Sequence, residues 1–130
     1  MSQDSGAGHS LYELVGGEQW FQDLCTRFYD RVAADEVLRP LYPEDLEPSR
    51  YWLALFLMQY WGGPGSYSQQ RGHPRLRMRH MHFALGAEER DRWFTHMTAA
   101  LAEGGLEPEV EQQVVEYFAM AANHLVNSDH

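Results

Sequence analysis

Apolar residues recur at intervals of three and four along most of the chain, and this spacing restricts the fold more than any other feature. From about Glu18 to Ala34 the apolar stripe comprises Trp20, Phe21, Leu24, Cys25, Phe28, Tyr29 and Val32. Residues at this spacing share one face of an α-helix, because a helical turn takes about 3.6 residues. No segment of useful length alternates apolar and polar residues as a half-buried strand does. We therefore predict an all-helical, all-α fold.

Glycines and prolines divide the apolar pattern into further helices. The tetrapeptide Ser10–Glu13 has the form of a capping box that opens a short first helix, which Gly16-Gly17 ends. A helix from Pro48 to Trp61 is apolar on several sides, which is typical of a central helix. Residues 64–73 are rich in Gly, Ser and Gln and are predicted to form an ordered loop. The other predicted helical segments are Asp35–Leu41, Leu76–His82, Ala87–Glu103 and Pro108–Asn127.

Length, charge and cysteine content bound the class of protein. A chain of 130 residues suits one domain, which we expect over residues 10–130, with residues 1–9 as a frayed polar tail. The formal charge of −9 argues against nucleic acid or an anionic membrane as a partner. The tail lacks the basic flank and apolar core of a secretory signal. Cys25 is the single cysteine, so an intrachain disulfide is excluded, and we expect a cytoplasmic protein.

The arginines form the most unusual polar feature of this acidic chain. All ten basic residues are arginine, and Arg71, Arg75, Arg77 and Arg79 fall within nine residues. A GC-rich genome would explain the absence of lysine, but it explains the clustering less well. The cluster ends on His80, which makes this segment a candidate binding site.

The sequence lacks the motifs of most metal, nucleotide and hydrolytic sites. Without a second cysteine, cysteine-based zinc sites, iron–sulfur clusters and the CxxCH attachment of haem are excluded. No HExxH motif, nucleophile elbow or phosphate-binding glycine loop is present. A non-covalent cofactor in a helical pocket remains.

A haem is one cofactor that the segment ending on His80 could hold. It needs an apolar slot with aromatic walls, an axial imidazole, and arginines or tyrosines near its anionic propionates. Arg77 and Arg79 flank the approach to His80. Tyr67 and His73 offer further donors. Spacing alone does not make His80 a ligand, since a lone histidine is more often an ordinary surface or core residue.

Four segments of the chain match a known family. They are 27-RFYDRVAADEVLRPLYPEDL-46, 59-QYWGGPGSYSQQRGHPRLRMRH-80, 89-ERDRWF-94 and 120-MAANHLVNS-128. On these segments the chain resembles the group II truncated haemoglobins of bacteria. The resemblance implies a truncated globin, a two-over-two helical sandwich around haem b (iron protoporphyrin IX). It also implies that His80, which ends RMRH, is the proximal ligand of the haem iron.

The resemblance also assigns polar residues to the distal side of the haem. Tyr29 matches the family's tyrosine on the second helix, and Tyr42 lies where longer globins keep a phenylalanine. Trp93 matches the tryptophan that defines group II. Without the family, each of the three is better interpreted as a core residue whose polar tip is satisfied.

Further haem contacts implied by the resemblance are Leu53 and Phe56 on the distal face and Ser49. Phe83 could contact the haem or fill the core, and we expect contact. Ser49 falls where longer globins place the distal histidine, although the sequence LEPSRYW departs from the family's pattern at this point.

The three distal residues are all hydrogen-bond donors, and an O₂ ligand is electron-rich. A buried hydrogen bond to such an acceptor contributes about 1.5–3 kcal/mol. Two or three donors are therefore expected to hold O₂ tightly. Slow release suits chemistry or sensing better than delivery.

The resemblance leads us to expect a haem b protein that binds O₂, CO, NO or peroxide at a polar distal site, with NO dioxygenase or peroxidase-like activity. The sequence shows no reductase domain, so a separate electron donor or reductase is expected. Two alternatives stay open. One is O₂ storage, transport or sensing without turnover, and the other is a haem-free helical interaction domain. A homodimer also stays open, because the sequence does not indicate the oligomeric state.

Overall fold

The computed structural model of the chain describes residues 10–71 and 86–125. Within these ranges the chain forms six α-helices, a 3₁₀ turn at Arg39–Leu41 and no strand. The helices are α1 (Leu11–Leu14), α2 (Glu18–Ala33), α3 (Glu47–Tyr60), α4 (Ser66–Arg71), α5 (Ala87–Ala102) and α6 (Pro108–Leu125). The all-helical prediction is confirmed for these residues, whereas the short helix predicted at Leu76–His82 lies outside them. Within the same ranges, no helix has the length and apolar character needed to span a membrane.

Local caps explain where two of the helices begin. At α1, Ser10 Oγ accepts the Glu13 N–H at 3.3 Å, and Glu13 Oε1 accepts the Ser10 N–H at 3.4 Å. The predicted capping box is therefore confirmed. At α5, Glu89 Oε1 accepts the Gly86 N–H at 2.9 Å. A carboxylate at this end of a helix also complements the helix dipole.

The start of α3 differs from the prediction by one residue, because the helix begins at Glu47 and not at Pro48. Arg50 Nε donates a hydrogen bond to Glu47 Oε1 at 2.9 Å, one turn further on, and this pair favours a helical Glu47. Pro48 is tolerated in the first turn, because N–H groups there have no intrahelical partner. Helices α2, α3 and α5 each end one residue before the predicted end.

The described chain divides into two compact units, and the division passes through α2 after Thr26. The first unit contains α1, the first part of α2, α3 and α4. The second unit contains the rest of α2, the 3₁₀ turn, α5 and α6.

Two glycines let α1 lie against the end of α3 in the first unit. The Tyr12 N–H donates to the Trp61 carbonyl oxygen at 3.0 Å. Gly62 has a φ of +98°, a conformation that residues with a side chain rarely adopt. A Cβ on Gly63 would lie 2.5 Å from the Tyr12 ring and 2.9 Å from the Met58 carbonyl oxygen. The close approach of the two helices therefore requires glycine at both positions.

The prediction of a loop over residues 64–73 is wrong for Ser66–Arg71, which form α4. Gln59 of α3 explains the difference. Its Oε1 accepts the Ser68 N–H at 2.9 Å, and its Nε2 donates to Ser68 Oγ at 2.8 Å. A first-turn N–H of α4 is thus satisfied by a side chain from another helix. The local run of Gly, Ser and Gln gives no sign of this partner.

In the second unit, α5 and α6 pack against each other. Their buried apolar residues are Met97, Ala100, Leu101, Val114, Phe118 and Ala122. The rings of Trp93 and Phe118 lie 5.8 Å apart between centroids. Arg27 Nε donates to the Ala100 carbonyl oxygen at 3.0 Å, which fastens the second part of α2 to α5. Trp93 is therefore held by a packed helix pair.

We expect Gly63→Ala to lower the free energy of unfolding by about 1–3 kcal/mol, as overpacking does, because the Met58 carbonyl oxygen in the way is backbone and cannot swing aside. Urea unfolding followed by circular dichroism measures this change. Gly65→Ala is the matched control, since the atom nearest to its new Cβ is Gln59 Oε1 at 3.8 Å. Gly65 precedes α4, so its replacement by alanine should cost less than about 1 kcal/mol. Equal losses in the two variants would contradict the steric explanation.

Candidate functional site

Three polar aromatic residues from three separate elements meet in the second unit. Tyr29 lies on α2, Tyr42 directly follows the 3₁₀ turn, and Trp93 lies on α5. The Tyr29 and Tyr42 rings are 5.5 Å apart and almost perpendicular, at 88°. The Phe28 ring meets the Tyr29 ring edge-on at 4.9 Å and the Trp93 ring edge-on at 5.4 Å between centroids. The structure therefore brings together the three distal residues that the resemblance implies.

The polar tips of this trio are hydrogen-bonded to one another. The Tyr42 hydroxyl forms side-chain hydrogen bonds with Tyr29 and Trp93. The indole N–H can only donate, so the Tyr42 oxygen accepts from Trp93. Burial raises the pKa of Tyr42 to about 12, although the hydrogen bonds with Tyr29 and Trp93 act in the opposite direction. The Tyr42 hydroxyl therefore keeps its proton at neutral pH and has both donor and acceptor capacity.

The backbone around Tyr42 is held by the Arg39 side chain. The guanidinium donates to the carbonyl oxygens of Tyr42 at 3.4 Å and Pro43 at 2.9 Å, and also to that of Glu44. Tyr42 itself is extended, with φ −112° and ψ 156°, and its N–H donates to the Arg39 carbonyl oxygen at 3.2 Å. A residue outside any helix is thus fixed by several bonds to one arginine.

Asp35 fixes the start of the same loop. Its Oδ1 accepts the N–H groups of Val37 at 2.8 Å and Leu38 at 2.9 Å. Its carboxylate also accepts from Arg92 at 3.1 and 3.2 Å, and its Oδ2 lies 2.7 Å from His96 Nε2. Asp35 is only 8% exposed, so one buried charge joins the loop to α5.

The surroundings of Asp35 determine its protonation. Burial raises the pKa of this carboxyl, but the hydrogen bonds from His96, from the backbone N–H groups of Leu38 and Val37, and from Arg92 outweigh burial. Together they hold the pKa of Asp35 well below its usual range. The carboxylate is therefore charged at any physiological pH. Beside it opens a cavity of about 370 Å³, lined by Arg31, Ala34, Asp35, Glu36, Arg92 and His96.

Further predicted site residues lie in the first unit. Ser49, Leu53 and Phe56 are spaced by four and three residues on α3 and share one face of it. Phe56 is 9% exposed and Tyr67 of α4 is 2% exposed, and their rings meet edge-on at 5.6 Å. Tyr67 also packs edge-on against Trp52 at 6.1 Å. The predicted roles of these residues at a haem stay predictions.

The other predicted haem contacts fall outside the described residues. These are His73, Arg77, Arg79, His80 and Phe83. The assignment of His80 to the iron therefore stays a prediction. In residues 10–71 and 86–125, no group of three or more His, Cys, Asp or Glu side chains is arranged to hold a metal ion.

Comparison with known families identifies the chain. The bacterial-like globin family matches residues 10–127. The chain belongs to the bacterial-like globins. Group 2 truncated haemoglobin YjbI of Bacillus subtilis is 38% identical over 116 residues, which is 89% of this chain and 87% of that protein. The recognition of a group II truncated haemoglobin from the four sequence segments is therefore confirmed.

Solved globin structures share the fold. A thermostable haemoglobin from the actinobacterium Thermobifida fusca superposes with a TM-score of 0.89 at 58% identity, over 92% of this chain and 98% of that one. A truncated oxygen-avid haemoglobin from Bacillus subtilis gives a TM-score of 0.86 at 37% identity, over 92% of this chain and 100% of that one. The predicted truncated globin fold is confirmed.

Membership of the family establishes the general function of this globin. Globins bind haem and, through it, small gases such as O₂, so the chain is a haem-binding and gas-binding protein. The family favours this function over the haem-free interaction domain that the sequence left open.

The sequence gives little indication of the residues whose side chains hold the loop between α2 and α3. No sequence pattern distinguishes these residues, because each is an ordinary polar residue in an acidic chain. They are Asp35, Arg39, Arg92 and His96. Asp35 and Arg92 are separated by 57 residues, so no local pattern links them. One weak signal existed, since an aspartate that follows a helix and begins a turn often caps the next backbone N–H groups.

We expect Asp35→Asn to lower the free energy of unfolding of the haem-loaded globin by about 1.5–3 kcal/mol at pH 7, the contribution of hydrogen bonds to a charged group. A carboxyl whose pKa is lowered by folding stabilises the fold above its unfolded pKa, which is about 3.9. The difference from wild type should therefore be constant above about pH 5 and shrink as the pH falls below about 4.

Urea unfolding at several pH values measures this dependence. Glu36→Gln is the control, because Glu36 lines the same cavity but is exposed. It should change stability by less than about 0.5 kcal/mol. A difference between Asp35→Asn and wild type that grows on acidification would contradict the assigned charge state.

Proposed function

We propose that this globin binds haem b and holds O₂, CO, NO or peroxide at a polar distal site formed by Tyr29, Tyr42 and Trp93. The observation that carries the proposal is the meeting of these three side chains, in which the Tyr42 hydroxyl is hydrogen-bonded to the other two and the Tyr29 and Tyr42 rings lie 5.5 Å apart. Bound haem would supply an iron that takes up diatomic ligands and exchanges electrons. The single cysteine, Cys25, is fully buried, which supports a haem held without covalent attachment.

The described residues fit the needs of such a ligand. A diatomic ligand that becomes electron-rich is stabilised by hydrogen-bond donors. Tyr29 is 8% exposed, and the raised pKa of Tyr42 keeps its hydroxyl neutral up to about pH 12. A charged donor would cost more to bury than these neutral groups.

The hydrogen bonds within the trio prepare Tyr42 for its role. Trp93 donates to the Tyr42 oxygen, and Tyr29 forms a second hydrogen bond with the same hydroxyl. A hydroxyl with defined partners is restricted in its rotation, so less entropy is lost when a ligand arrives. Each buried hydrogen bond to an electron-rich ligand contributes about 1.5–3 kcal/mol. Two such bonds would slow ligand release roughly a hundredfold or more.

The remaining residues of the proposed haem site keep the roles expected from the sequence and from the resemblance. They are His80 as proximal ligand, Tyr67, His73, Arg77 and Arg79 near the propionates, and Ser49, Leu53, Phe56 and Phe83 as further haem contacts.

We propose redox chemistry rather than simple carriage as the use of this site. A ligand that is released slowly is poorly suited to delivery, but it has time to react with NO or to be reduced. The structurally similar haemoglobin of Bacillus subtilis is oxygen-avid, which supports a site that holds its ligand tightly. Electrons would come from a separate reductase, in the cytoplasm that the sequence composition favours.

We expect Tyr42→Phe to raise the O₂ dissociation rate about tenfold or more, because it removes a hydroxyl whose hydrogen bond is worth at least about 1.4 kcal/mol. Stopped-flow displacement of O₂ by CO measures the rate. Tyr51→Phe is the matched control, since its hydroxyl donates to Gln70 Oε1 at 3.2 Å on the exposed surface. The control should release O₂ at the wild-type rate. Fast release from wild type, unchanged in Tyr42→Phe, would instead indicate an O₂ carrier.

We expect His80→Ala to lose haem or to bind it much more weakly, because the variant lacks the proposed axial imidazole. Absorption spectra of the ferric, ferrous and CO-bound forms measure haem content and coordination. His82→Ala, two residues further on, is the control and should keep the wild-type spectra. A normal five-coordinate ferrous spectrum in His80→Ala would show that another residue holds the iron.

A further inference from the structure

Tyr29, Tyr42 and Trp93 together form the distal trio. Tyr42 differs from the other two in what holds its backbone in place. Tyr29 and Trp93 lie inside the long helices α2 and α5, whose backbone bonds fix their direction. Tyr42 lies between helices, directly after a three-residue 3₁₀ turn. Its position therefore depends on whatever fixes the loop that joins α2 to α3.

A series of hydrogen bonds leads from Asp35 to Tyr42. The Arg39 N–H donates to the Asp35 carbonyl oxygen at 2.9 Å, and the Tyr42 N–H donates to the Arg39 carbonyl oxygen at 3.2 Å. The Asp35 carboxylate closes the first part of the loop by accepting the Val37 and Leu38 N–H groups. Leu38, at 1% exposure, anchors the same turn in the core. Moving Asp35 would therefore move the backbone that carries Tyr42.

The Asp35 carboxylate also forms hydrogen bonds with the helix that carries Trp93, which is α5. Arg92 precedes Trp93 in the sequence, and His96 lies one turn further along α5. Both side chains reach the Asp35 carboxylate, at 3.1 Å from Arg92 and 2.7 Å from His96. One charged group therefore sets the distance between the Tyr42 loop and α5.

This distance matters, because a hydrogen bond tolerates little displacement. A donor and acceptor need to lie within about 3.2 Å, and the interaction weakens steeply beyond this range. The bond between Trp93 and the Tyr42 hydroxyl spans the same two elements that Asp35 joins. A shift of about 1 Å between them would break the bond within the trio.

We propose that Asp35 is a positioning residue for the distal site, which sets the contact between Tyr42 and Trp93 by tying the Tyr42 loop to Arg92 and His96. The inference rests on the proposed function of the trio. Asp35 contributes no atom to the ligand. It acts through Tyr42, so its effect on ligand release should disappear when the Tyr42 hydroxyl is absent.

The test is a double-mutant cycle on the haem-loaded globin. Asp35→Asn should raise the O₂ dissociation rate roughly five- to tenfold, and Tyr42→Phe at least as much. In the Tyr42→Phe background, Asp35→Asn should add no more than about twofold, because both changes remove the same hydrogen bond. Rate effects that simply multiply would overturn the proposal and leave Asp35 with a general role in stability.

A second readout does not depend on ligand release. The indole N–H resonance of Trp93, assigned by its loss in Trp93→Phe, reports the hydrogen bond to Tyr42 in a nitrogen-15 spectrum of the CO-bound protein. Asp35→Asn should shift this resonance towards its position in Tyr42→Phe. Glu36→Gln, which alters a neighbouring charge in the same cavity, should leave both the resonance and the O₂ rate unchanged. An unshifted Trp93 resonance in Asp35→Asn would also reject the proposal.

Two further outcomes separate this inference from the proposed function. If Tyr42→Phe speeds O₂ release but Asp35→Asn does not, the positioning role is wrong and the distal donor site stands. If Tyr42→Phe has no effect on release, the proposed donor site itself is wrong.

His96→Gln removes one of the two side-chain contacts between Asp35 and α5, and it keeps the proposal testable if Asp35→Asn does not fold. It should change the rate and the resonance in the same direction by a smaller amount, and no change in either would count against the proposal.

Discussion

A single buried carboxylate holds together the part of this globin that carries its polar aromatic residues. Asp35 accepts hydrogen bonds from two backbone N–H groups of its own turn and from Arg92 and His96 of α5. A charge at 8% exposure is tolerated only when its hydrogen-bonding capacity is filled in this way. Because the partners come from two elements, satisfying the charge also sets how these elements meet.

The meeting of Tyr29, Tyr42 and Trp93 shows the same principle on a smaller scale. Three polar tips are placed among aromatic rings, and each would be costly to bury without a partner. Tyr29, Tyr42 and Trp93 satisfy one another, so their polar groups keep hydrogen-bond partners among the aromatic rings. The loop around Tyr42 has no long helix to fix it, and the side chains of Arg39 and Asp35 hold its backbone by hydrogen bonds instead. The polar groups of the site and the groups that hold them thus form one connected network.

The sequence predicted the helices well, because their apolar stripes and caps are local signals. It also supplied Tyr29, Tyr42 and Trp93, but only through resemblance to a family, since each also fits a core position. Two kinds of feature escaped prediction. Helix α4 depends on Gln59 of another helix, and Asp35 finds its partners on α5 some 57 and 61 residues away. Neither contact is indicated by the periodicity of the sequence. The role of His80 rests on resemblance alone.

The contact between α3 and α4 bears on the order in which the chain folds. Gln59 and Ser68 are only nine residues apart, so their contact closes a small loop at low entropic cost. The contacts that Asp35 makes with α5 close loops of 57 and 61 residues, which costs more loop-closure entropy. A newly synthesised chain is therefore expected to assemble the Phe56–Tyr67 aromatic pair before the turn that carries Tyr42 settles.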